Sequence, residues 1–104
     1  MAGKDLEGWR TQIDALNEQI LKLLNARAEC ALAVGEIKRA EGLPLYAPDR
    51  EMAVLDQIRS LNTGPLTHEA VLRIFKQIID EALRLEEDHA NETVPDDSQK
   101  EQDL

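Results

Sequence analysis

LEGWRTQIDALNEQILKLLNARAECALAVGEIK, residues 6–38, is the stretch whose reading decides the fold. Leu6, Trp9, Ile13, Leu16, Ile20 and Leu23 recur every three or four positions, the spacing of one face of an α-helix. The same spacing reaches Arg27 and resumes at Cys30, Val34 and Ile37, a heptad-like seam with a cation set in it. A guanidinium on an apolar seam must find an anion or cost on the order of several kcal/mol. A carboxylate of the protein or an anionic ligand would satisfy it.

The helix that carries this seam is expected over 5–41, ended by Gly42 at the C′ position and by Pro44 beyond it. At ~1.5 Å per residue it is about 55 Å long, more than a compact domain of 104 residues spans. Two shorter helices cannot cover its whole seam, so a second copy is expected to cover the rest, giving an intertwined homodimer. Gly35 sits inside this helix, where it costs up to ~1 kcal/mol relative to alanine; close helix–helix contact is the reading taken, rather than ligand contact.

After a loop at 43–47, a second helix begins at Pro48 with Asp49 and Glu51 in its first turn, where acids suit the helix dipole. Met52, Leu55, Ile58 and Leu61 are its expected inward residues. Asn62–Leu66 reads as a turn and Thr67 as the N-cap of a third helix running to about Asp88 with Val71, Phe75, Ile78, Ile79 and Ala82 as its apolar stripe. The expected class is all-α: one long helix and two shorter ones per chain, over 5–88. Residues 1–4 read as a disordered start and 89–104 as an acidic disordered tail.

Net charge is −9, of which residues 87–104 contribute −6 through seven acids and one lysine. That balance argues against a nucleic-acid partner. No stretch is apolar and long enough to span a membrane, and no export-type start is seen. The single Cys30 permits no disulfide within the chain, so a cytoplasmic location is the expectation. His68 and His89 with one cysteine make no convincing metal set.

The remaining charges that break the pattern concentrate. Lys38 lies eleven residues after Arg27 and projects only ~20° away on the helix. Glu86 lies eleven residues after Phe75 and ends the apolar stripe of the third helix. Taken singly, each has an ordinary reading: an ion pair of Arg27 with Glu51 or Glu86, a solvated Lys38 near a helix end, surface charges at Arg50 and Glu51, a Glu86 beyond the packed region, a solvated Arg10. Taken together, three helices direct charged groups toward one apolar interior, which is what a dianion site requires. Arg10, seventeen residues before Arg27, points ~100° away and suits a partner's pocket rather than its own.

Four segments carry a resemblance: residues 9–17 (WRTQIDALN), 23–27 (LLNAR), 34–38 (VGEIK) and 48–51 (PDRE), with 75–86 as a closing helix. In this order they resemble the all-helical chorismate mutases over roughly residues 6–88, and the loop at 41–46 looks most like mutase domains fused to prephenate dehydratase. The resemblance implies rearrangement of chorismate to prephenate in a homodimer with two equivalent sites, with no cofactor, no metal and no covalent intermediate. It implies that Arg27 and the partner's Arg10 hold the two carboxylates, helped by Arg50. Lys38 and Glu86 would donate to the ether oxygen, and Glu51 would accept from the ring hydroxyl. Some relatives have aspartate where Ala47 stands and serine where Ala82 stands. The backbone at Ala47 still serves, while one carboxylate hydrogen bond is expected to be missing at Ala82. Two alternatives remain at this stage: an isochorismate–pyruvate lyase on the same scaffold, and a noncatalytic helical dimer that senses a metabolite.

Overall fold

The computed structural model of the chain describes Gly3 and residues 5–93, the side chain of Thr93 excepted. The rest of the expected disordered start, and the tail from residue 94 onward, lie outside the described residues. Three helices follow one another: α1 (Leu6–Ala40), α2 (Pro48–Leu61) and α3 (His68–Thr93).

Local chemistry sets the ends. Asp5 caps α1 by accepting a 2.8 Å hydrogen bond from the Gly8 amide. At the other end Gly42 takes φ +72°, a left-handed conformation that glycine adopts at no steric cost, and Leu43 donates back to the Lys38 carbonyl at 2.7 Å. Pro48 opens α2 as expected. Thr67 Oγ1 accepts from the Ala70 amide at 3.1 Å and caps α3.

α3 packs against both α1 and α2. Its expected stripe, Val71, Phe75, Ile78, Ile79 and Ala82, is the partly buried face. Two expectations need correction. On α2, Met52 and Leu61 are exposed and Val54 joins Leu55 and Ile58 on the covered side, because α3 covers a narrower face than the spacing suggested. α3 also runs five residues past Asp88 and takes in His89, which the polar composition had assigned to the tail. One face suffices to hold a helix end: His89 and Ala90 are partly buried, and His89 Nε2 meets Glu36 Oε1 of α1 at 3.1 Å.

The α1 seam is uncovered. Leu6, Trp9, Ile13, Leu16, Ile20 and Leu23 are 46–69 % exposed, and so are Val34 and Ile37 farther along, at 45 % and 57 %. The apolar and small residues that the chain shields along the second half of α1 are Ala28, Ala31, Leu32 and Gly35, beside the seam, while Arg27 on the seam and Lys38 are partly buried. Gly35 is the only fully buried residue among those described. The radius of gyration is 18.9 Å, against about 13 Å for a compact chain of this length. Among the described residues no apolar side chain is buried, so they form no closed core of their own.

Candidate active site

The C-terminal half of α1, the loop after it, the start of α2 and the second half of α3 enclose an open pocket of about 280 Å³. Arg27 and Lys38 reach it from α1, three turns apart on one face. Ala47, Arg50 and Glu51 border it from the α2 entrance, and Ala82 and Glu86 from α3. Val34, Val54, Ile79 and Leu83 supply apolar wall. Seven of the eight residues singled out in the sequence therefore converge on one hollow.

Each has a local reason for its place. Lys38 donates a 2.9 Å hydrogen bond to the Leu45 carbonyl, so the loop after α1 holds its ammonium toward the pocket. Ala47 is the N-cap of α2 and has no side-chain cap bond; its carbonyl accepts from the Glu51 amide at 3.0 Å. Gly35 lets α3 approach α1 at Glu86: a Cβ on the glycine would meet Glu86 Cγ at 3.2 Å. Helix–helix contact accounts for this glycine, and the contact it permits is with a pocket residue.

The ion pairs considered for Arg27 do not form. Among the described residues neither Arg27, Lys38 nor Arg50 makes a salt bridge with a carboxylate. Glu51, whose side chain is 11 % exposed, pairs instead with Lys76 of α3. Lys76 also meets Asp80 one turn on at 3.1 Å, and its two carboxylate partners, Glu51 first, push its pKa up to about 12. Nothing in the sequence marks Lys76 beyond its spacing to Asp80.

The Glu86 carboxyl is pushed up from its ordinary value. Burial drives the rise; Lys38 opposes it, Glu87 adds to it, and Arg27 opposes it. With Glu51 neutralised by Lys76 and Glu86 pushed toward its protonated form, three cations dominate the hollow. An apolar floor ringed by unpaired cations favours a small anion with a hydrocarbon body.

Arg10 is elsewhere. It lies seventeen residues, or ~25 Å of helix, from Arg27, is exposed, and pairs with Glu7 at 3.3 Å. It does not reach the pocket of its own chain.

The chain is similar to proteins already known. The pattern of the family described as chorismate mutase type II matches residues 9–87. A bifunctional chorismate mutase/prephenate dehydratase of Neisseria gonorrhoeae is 46% identical over 77 residues, 74% of this chain. The chain spans 21% of that protein's length. A chorismate mutase structure from Thermus thermophilus superposes with a TM-score of 0.79 at 33% identity, covering 81% of this chain and 96% of that one. A Helicobacter pylori chorismate mutase in complex with prephenate gives 0.77 at 28% identity, covering 86% and 97%. The family pattern thus takes in α2 and most of α1 and α3, the helices that frame the pocket, and this chain belongs to the type II chorismate mutases.

Proposed function

We propose that two copies of this chain pair along the exposed α1 seam and that each of the two resulting sites rearranges chorismate to prephenate, a step toward phenylalanine and tyrosine. The observation that carries the reading is the pocket of Arg27, Lys38 and Arg50, three cations that make no salt bridge with a carboxylate among the described residues. Pairing is supported by the length of α1 and by the apolar residues from Leu6 to Leu23 that the chain leaves in water, more than a solitary chain commonly exposes in one stripe. In the dimer the partner's Arg10 completes the site.

The chemistry follows from residue type. Arg27 and the partner's Arg10 take the two carboxylates, with Arg50 on the ring carboxylate, and fold the substrate so that its reacting carbons meet. As the carbon–oxygen bond breaks, negative charge grows on the ether oxygen. The Lys38 ammonium and a protonated Glu86 donate to that oxygen and bind the transition state more tightly than the substrate. Glu51 accepts from the ring hydroxyl, assisted by the backbone at Ala47. Ala82 offers no hydrogen bond to a carboxylate. No cofactor and no covalent intermediate is needed. The active unit is residues 5–88, and a cytoplasmic setting is supported by the lone thiol of Cys30.

The test is loss of chorismate absorbance on adding pure protein, with Arg27→Ala as control. Prephenate as product supports the proposal. No turnover of chorismate, or salicylate and pyruvate from isochorismate, overturns it.

A further inference from the structure

Glu51 presents a problem that the pocket alone does not solve. Its carboxylate borders the same small hollow as two arginines that make no ion pair with any carboxylate among the described residues. A carboxylate within reach of a guanidinium ordinarily forks onto it. Such an internal pair would have to be broken by every anionic ligand that entered.

Lys76 prevents it. The lysine is not among the residues that line the pocket; it reaches Glu51 from α3, and Asp80 tethers it from the next turn at 3.1 Å. The bond engages one oxygen of the carboxylate, Oε1. We propose that Lys76 is a positioning residue that holds the Glu51 carboxylate away from Arg27 and Arg50, keeping both guanidiniums open to the substrate's carboxylates. This role rests on the mutase reading of the pocket. It predicts a particular kinetic signature, because an internal ion pair opposes ground-state and transition-state binding equally and so raises KM without lowering kcat.

The experiment compares wild type, Lys76→Ala, Lys76→Arg, Glu51→Gln and the Glu51→Gln/Lys76→Ala double variant. Chorismate kinetics and calorimetric binding of prephenate are measured, with helix content checked by circular dichroism. Lys76→Met, which keeps the aliphatic stem, serves the same test should the alanine loosen α3. Lys76→Ala is expected to raise KM and the prephenate Kd about tenfold with kcat nearly unchanged. Lys76→Arg should restore both. In the Glu51→Gln background, where no carboxylate can swing across, Lys76→Ala should add nothing. An active wild type with an unaltered Lys76→Ala variant overturns the role of Lys76 alone, and so does an equal loss in the two backgrounds. A wild type that neither turns over chorismate nor binds prephenate overturns the mutase reading, and this role with it.

Discussion

Gly35 of α1 lies directly against Glu86 of α3, close enough that a methyl group on the glycine would sit 3.2 Å from Glu86 Cγ and 3.4 Å from Cβ. The atoms approached are near the root of the glutamate, so relief requires moving the side chain as a whole. Alanine gains about 1 kcal/mol of helix propensity at this position, which offsets much of the crowding. The Gly35→Ala variant should therefore melt within a few degrees of wild type. Its kcat should nevertheless fall by at least about tenfold, because displacing a donor by a fraction of an ångström is costly in a preorganised site. Paired measurements of melting temperature and turnover check this; equal activity would show that the Glu86 position is not critical.

The raised pKa of Glu86 sets a direction for pH dependence. An ionised carboxylate cannot donate to an ether oxygen, so kcat should fall as pH rises through the folded-state pKa of Glu86. Glu86→Gln should flatten that limb. Stability carries the same sign. The stabilisation is fully present below the ordinary value of 4.5, where both states are protonated, and is lost as pH climbs through the raised folded value. Melting curves of wild type should decline over that window relative to the glutamine variant.

The catalytic role proposed for Lys38 and its structural one are of unequal size. Its bond to the Leu45 carbonyl is worth about 1 kcal/mol, a few degrees of melting temperature. Stabilising the developing charge on the ether oxygen is worth roughly 3–4 kcal/mol in barrier. Lys38→Ala should accordingly lower kcat by about two to three orders of magnitude while the fold persists. A variant that loses stability and activity in proportion would assign Lys38 to holding the loop.

What could be read in the sequence depended on whether the signal was local. Gly42 and Thr67 end and start their helices through bonds that span a few residues, and both fall where the spacing predicts. The α3 stripe was legible because its period is unbroken. Arg27, Lys38 and Glu86 stood out as charges on apolar faces, and the pocket gathers them. The face of α1 that meets α3 was hidden, because Ala28, Ala31 and Gly35 mark it by small size while the larger seam dominates the periodicity. The pairing of Lys76 with Glu51 joins residues twenty-five apart on different helices, and no spacing rule reaches that far. The last turn of α3 was obscured by its polar composition, although His89 needs only Glu36 opposite to be held.

Arg10 offers a direct test of the proposed shared site. It is exposed and remote from its own pocket, so, in the proposed homodimer, Arg10→Ala and Arg27→Ala should each cripple activity by removing one proposed carboxylate contact from both sites. A mixed dimer of the two variants differs. One of its sites takes Arg27 from one chain and Arg10 from the other and is intact, while the second lacks both. Unfolding and refolding an equal mixture makes about half of the dimers mixed, each with one working site, so activity should return to about a quarter of wild type. Refolding each variant alone is the control. If activity does not rise on mixing while sedimentation shows that dimers have exchanged, the partner's Arg10 has no part in the site.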